Sequence, residues 1–165
     1  EMSRGLGDVY KRQLHTGELA DTRFLENLRM EASPVQLVMA NPPWRLVGSG
    51  RLPATEARRK ALFGDKGTFP LFASAASSLL EEDGRFACII SPDRLQDMLA
   101  ALDGVGLTPY LLQYIHKQKT SPATFVLIEA RKGAHAKPSV AEPIALYGPE
   151  RFFTLESLAF CPFLR

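Results

Sequence analysis

An α/β fold built on a largely parallel sheet is what this sequence predicts, and three observations carry the prediction. Short, nearly continuous apolar runs, "VQLVMA" at 35–40 and "RFACIIS" at 85–91, read as strands covered on both faces. Segments of helical period alternate with them, which implies right-handed crossovers between parallel neighbours. Two further apolar runs, "PYLLQYIH" at 109–116 and "ATFVLIEA" at 123–130, close the series with Pro122 between them. That spacing suits a hairpin, and so an antiparallel pair at the edge of the sheet.

In chain order, Phe24, Leu25 and Leu28 suit a short helix ahead of the first strand. That strand ends at Asn41, and a long loop follows it. "TFPLFASAASSLLEEDG" then reads as a helix, with Thr68 as cap and Phe69, Phe72, Ala75, Ala76, Leu79 and Leu80 at helical spacing. Gly84 supplies its stop. After the strand at 85–91, "SPDRLQDMLAALDG" places Ser91 as cap and Pro92 at the first helical position. Leu95, Met98, Leu99 and Leu102 make its apolar stripe, and Gly104 ends it. "KGAHAKPSVAEP" at 132–143 reads as a flexible connection to a short tail.

The 165 residues suffice for one ordinary domain, and 45% hydrophobic with 23% charged residues is the make-up of a soluble globular protein. No segment approaches the roughly 18 to 20 apolar residues that span a bilayer. No positive and then apolar leader points to secretion. Cys88 and Cys161 form no metal-like spacing, and His15 and His135 have no partner at ligand distance in sequence, so no metal is expected. A reduced, cytoplasmic setting is the simplest reading of two unpaired cysteines. Ser91 and Ser121 belong to no local Ser/His/Asp pattern, which leaves hydrolase chemistry without support. A net charge of +2 does not by itself argue for nucleic acid. The opening stretch, "EMSRGLGDVYKRQ" (1–13), has no periodicity and reads as a non-native terminus; the alternative is a frayed natural one.

The most informative stretch is "NPPW" at 41–44, directly after the first buried strand and holding the only tryptophan. In open α/β sheets ligands bind at the carboxyl ends of strands, where Asn41 stands. An exocyclic amine on an aromatic ring is a poor nucleophile, because its lone pair is delocalised. Two acceptors that bind both N–H groups draw the nitrogen toward tetrahedral geometry and free that pair. The Asn41 carboxamide oxygen is one acceptor. The Pro42 carbonyl is the other, expected to point outward because Pro43 forces Pro42 out of the α region. Proline's fixed φ preorganises both. Trp44 offers a face on which a base can stack, worth roughly 1–3 kcal/mol. The competing explanation is a stiff strand-ending turn.

"NPPW" in this position resembles motif IV of the class I, S-adenosylmethionine-dependent amino-group methyltransferases. "ARRKALF", "LLEEDGRFACIISPDRL", "GLTPYLLQYIH", "ATFVLIEARKG" and "EPIALYG" resemble the second half of one branch. That branch is the bacterial tRNA (adenine-N6) methyltransferase family that modifies position 37 of a valine tRNA. The match covers approximately residues 14–148, leaving 149–165 as a tail. The resemblance implies a Rossmann-like fold, S-adenosylmethionine as cofactor, and methyl transfer to N6 of an adenine in tRNA. Asn41, Pro42, Pro43 and Trp44 would form the target-amine site, with Asn41 also beside the cofactor. "LHTGELAD" resembles the third motif, whose acidic residue accepts a hydrogen bond from the cofactor's adenine amine; Glu18 holds that place where aspartate is usual. Glu18 reads equally as a solvated loop carboxylate.

The family's glycine-rich turn and the acidic residue ending its second strand have no counterpart. "GLGD" at 5–8 lacks a strand before it and a helix after it. Those elements are expected ahead of Leu14, in a chain truncated at its N-terminus that binds the cofactor weakly alone. Arg51, Arg58, Arg59, Lys60 and Lys66 follow Trp44 and could grip tRNA phosphates near an extruded base, or form a solvated basic loop. His116, Lys117 and Lys119 could also face RNA, although a plain surface histidine is the simpler reading. Tyr110, Tyr114 and Phe125 suit the core better than base stacking. Protein glutamine-N5 methylation, DNA adenine-N6 methylation and a non-catalytic RNA-binding remnant are the alternative functions. No oligomeric state follows from these patterns.

Overall fold

The apolar runs form one mixed sheet whose order sets the position of Asn41. The computed structural model describes residues 13–31, 35–46, 55, 63–133, 137–150 and 152–161. Helix α1 (Thr22–Glu31) precedes strand β1 (Val35–Ala40), and two short strands follow, β2 (Arg45–Leu46) and β3 (Phe63–Gly64). Helix α2 (Thr68–Leu79) leads directly into β4 (Leu80–Ile90), a 3₁₀ turn (Pro92–Arg94) and α3 (Leu95–Asp103). Strands β5 (Leu107–His116) and β6 (Ala123–Lys132) form the hairpin, and β7 (Ser139–Val140), β8 (Ile144–Ala145) and α4 (Leu155–Phe160) close the chain.

The main sheet runs β1-β4-β6-β5, with β7 and β8 pairing along the outer edge of β5. β1 and β4 are parallel, while β6 is antiparallel to both β4 and β5. β5 therefore points the same way as β1 and β4. The carboxyl ends of these three strands share one rim with the amino end of β6, and Asn41 stands on it. The hairpin is antiparallel as its spacing predicts, but its later strand lies inside the sheet.

Strand alternation places Phe86, Cys88 and Ile90 of β4 and Val126, Ile128 and Ala130 of β6 on one buried face. Phe69, Ala73 and Ala76 of α2 and Met98, Ala101 and Leu102 of α3 complete that core. Phe69, Ala75, Ala76, Met98 and Leu102 are buried as their periodicity predicts, whereas Phe72, Leu79, Leu95 and Leu99 are half-buried and Ala73 and Ala101 join the core in addition.

Four local expectations change. Thr68 opens α2 rather than capping it: Gly67 is the cap residue, and the Thr68 hydroxyl bonds the Asp65 carboxylate at 3.0 Å. The helix ends at Leu79 instead of running to Gly84, because Leu80 turns extended (φ −70°, ψ 138°) and pairs with Val35. Leu80 is 3% exposed, so seating it in the core outweighs the helix propensity of the glutamates after it. Continuous pairing resumes at Arg85, after a detour in which Asp83 takes a left-handed φ of 62°. Ser91 precedes a 3₁₀ turn, and its hydroxyl bonds the Asp93 carboxylate rather than capping backbone. β1 is not covered on both faces among the described residues: Leu37 is 43% and Met39 75% exposed, while Val38 and Ala40 pack against the core.

The chain after the hairpin folds back on it. Ser139–Val140 and Ile144–Ala145 are the two strands on β5, and the Tyr147 and Phe153 rings stack at 5.0 Å. Among the described residues no helix is long and apolar enough to cross a membrane, and no group of three or more His, Cys, Asp or Glu could hold a metal.

Candidate active site at the end of the first strand

The Asn-Pro-Pro-Trp turn is held from several sides. β2 and β3 pair in parallel, Arg45 with Phe63 and Leu46 with Gly64, and return the chain alongside it. Gly64 lies so near the turn that a Cβ there would stand 2.3 Å from the Pro43 carbonyl oxygen. The Trp44 indole is half-buried and packs at the margin of the main core. It meets Phe125 edge-on at 6.1 Å, and the Arg45 guanidinium lies 5.3 Å from its ring centroid. The Trp44 carbonyl accepts a hydrogen bond of 3.0 Å from Nη1 of Arg94.

Asn41 is exposed, and no hydrogen bond ties its carboxamide to another described residue. Its polar atoms remain available to a ligand. Pro42 corrects the expectation of an outward carbonyl: the whole residue is below 2% exposed. That acceptor is covered in this arrangement, and the chain returning through β3 lies against the neighbouring Pro43 carbonyl.

Glu18 and Asn41, far apart in sequence, line one cavity of about 980 Å³. Pro43, Phe63, Asp65 and Phe72 also border it. Trp44 is not among its lining residues and faces Phe125 instead. The exposed Glu18 carboxylate and the aromatic surface of this concavity would suit the adenosyl part of S-adenosylmethionine, with Glu18 accepting from the ring amine and the apolar wall taking the ring. Arg51, Arg58, Arg59 and Lys60 lie outside the described residues. Lys66 is described and exposed.

His116, at the end of β5, pairs its Nδ1 with the Ser121 carbonyl at 2.7 Å, while Lys117 and Lys119 are exposed on the hairpin loop. This loop occupies the same rim as Asn41. Tyr114 packs against the core as expected. Phe125 does more than fill space, because it backs Trp44. Sequence reasoning missed Phe63, Asp65 and Arg94. Each reaches the site through the tertiary fold, and none carried a signal in the sequence.

The chain has a Rossmann-like methyltransferase fold. A predicted O-methyltransferase, protein Atu636 from Agrobacterium tumefaciens, superposes with a TM-score of 0.58 at 22% identity, over 82% of this chain and 55% of that one. The chain thus spans about half the length of that neighbour. M1.HpyAVI in complex with SAM gives a TM-score of 0.42 at 12% identity, covering 76% of this chain and 62% of that one. The M protein of the type I restriction enzyme EcoKI gives 0.44 at 16% identity, covering 82% and 31%. The likeness to Atu636 carries the fold assignment. No family model and no curated protein sequence matches the chain.

Proposed function

We propose that this chain is part of an S-adenosylmethionine-dependent methyltransferase acting on the exocyclic N6 amine of adenine in tRNA. The observation that carries the reading is the unbonded Asn41 carboxamide at the carboxyl end of β1, in one cavity with Glu18. The bound cofactor would supply an electrophilic methyl group on a sulfonium, so the protein needs no strong general base. Asn41 Oδ1 accepts one N–H of the target amine. The Pro42 carbonyl accepts the second once the packing that covers it yields, and this removes the lone pair from conjugation. Trp44, stiffened by Phe125, borders the base. The rest of the work is alignment of nitrogen and methyl carbon.

RNA is preferred as the partner because exposed Lys117 and Lys119 stand on the rim that carries Asn41, and Arg51, Arg58, Arg59, Lys60 and Lys66 follow Trp44 in sequence. Such cations contact phosphate and fix register without reading sequence. A cytoplasmic location fits this substrate.

The test is methyl transfer by the protein encoded by the whole reading frame that contains this chain. Labelled S-adenosylmethionine is supplied with unmodified tRNA, adenine-containing duplex DNA or a glutamine-bearing protein. Label recovered as N6-methyladenosine from tRNA supports the proposal. Label confined to DNA or to glutamine reassigns the substrate, and no transfer to any of them leaves a binding protein.

A further inference from the structure

Arg94 is the one buried charged side chain among the described residues, at 4% exposure. It ends the 3₁₀ turn at the carboxyl end of β4, on the same rim as Asn41. Its Nε donates to Asp97 Oδ2 at 2.6 Å, its Nη1 donates to the Trp44 carbonyl at 3.0 Å, and its guanidinium lies 4.5 Å from the Phe69 ring centroid. Burying a guanidinium is costly, and the cost is offset only when charge and donors are matched. Asp97 supplies the countercharge and Phe69 a flat apolar face.

A core position at this junction would be filled at lower cost by leucine or methionine, so the arginine has a task beyond filling volume. The task visible in the geometry is to reach across fifty residues of sequence and hold one carbonyl of the Asn-Pro-Pro-Trp turn. Proline fixes φ at positions 42 and 43, which leaves the orientation of the peptide after Trp44 as the soft point. That peptide is the one Arg94 grips. Lysine could not reproduce the grip, because a planar fork bonds two partners in fixed directions and an ammonium does not.

We infer that Arg94 is a positioning residue: through the Trp44 carbonyl it sets the orientation of the indole and of the Asn41–Trp44 turn. Its value to catalysis rests on the reading of that turn as the amine site, whereas the clamp itself does not.

The test uses this chain, in which Trp44 is the only tryptophan, so intrinsic fluorescence reports the turn alone. Arg94→Met keeps the bulk and removes both hydrogen bonds; Arg94→Lys keeps charge and stem. With far-UV circular dichroism retained, each is expected to raise acrylamide quenching of Trp44 about twofold or more and to move its emission to the red. Asp97→Asn, which leaves an acceptor for Nε, is expected to move both signals less. Unchanged quenching in either folded variant overturns the proposal. If neither variant folds, the wild type decides by NMR. A clamped guanidinium gives separate, slowly exchanging Nη proton signals at Arg94, and one averaged signal overturns the clamp. Loss of the methyltransferase reading would leave these outcomes unaffected.

Discussion

Gly64 and Pro43 approach so closely that the side chain at position 64 is set by space and not by backbone conformation. A methyl group there would lie 2.3 Å from the Pro43 oxygen and 2.8 Å from Thr68 Oγ1, and neither partner is the far end of a flexible side chain. Gly64→Ala is therefore expected to lower unfolding stability in urea by about 1–3 kcal/mol, the usual range for overpacking. It should also change the Trp44 emission. A midpoint and spectrum like the wild type's would show that the turn is not held there. At this scale the motif was legible and its supports were not. Asn41, Pro42, Pro43 and Trp44 are contiguous, so the turn could be singled out from the string. Arg94 and Gly64 act on the turn from distant positions, and periodicity contains no information about such contacts. The covered Pro42 carbonyl belongs here too: Pro43 restrains the backbone of Pro42, but tertiary packing decides whether solvent reaches its oxygen.

Elements were legible where one period was sustained. The presence of α2, α3, β4, β5 and β6 matches the sequence reading, and Phe69, Ala75, Ala76, Met98 and Leu102 are buried as their spacing predicts. From Phe86 on, β4 instead alternates buried with half-buried residues where a continuous buried run was expected. Ends were less legible. Gly84 resembles a helix stop, yet pairing of Leu80 with Val35 ends α2 earlier. In the tail, helix α4 has only six residues and depends on its cap: the Ser157 N–H donates to Thr154 Oγ1 at 3.0 Å, and that hydroxyl donates to the Ala145 carbonyl at 2.6 Å. Thr154→Ala removes both bonds and is expected to cost about 1 kcal/mol, at the middle of the range for lost N-caps. Urea denaturation measures it. A change below about 0.3 kcal/mol would mean that the cap bond is not holding α4 on β8.

For the molecule as a whole, strand order was the part that periodicity could not supply. A hairpin of β5 and β6 follows from spacing, but the placing of β6 between β4 and β5 depends on which edge each strand chooses. That choice gathers the ends of β1, β4 and β5 and the start of β6 on one rim, and it creates the Trp44–Phe125 contact. The same sheet buries Cys88, and burial pushes its thiol from the ordinary 9.0 up to about 12. A raised thiol favours the fold below its unfolded value, and the benefit is lost as pH rises from about 9 through about 12. At pH 8 a thiol reagent is expected to label half-buried Cys161 and leave Cys88 untouched until urea unfolds the chain. Rapid labelling of both in the folded protein would contradict this core.

The proposed function depends on activation of a target amine by the Asn41 carboxamide, which bonds no other described residue. Its most direct test is the initial rate of N6-methyladenosine formation on unmodified tRNA by the whole-frame protein carrying Asn41→Ala, with S-adenosylmethionine binding measured on the same sample. The rate should fall about 100-fold or more, the scale set by loss of one preorganised hydrogen-bonding group, with cofactor affinity largely unchanged. A rate close to that of the wild type would contradict it.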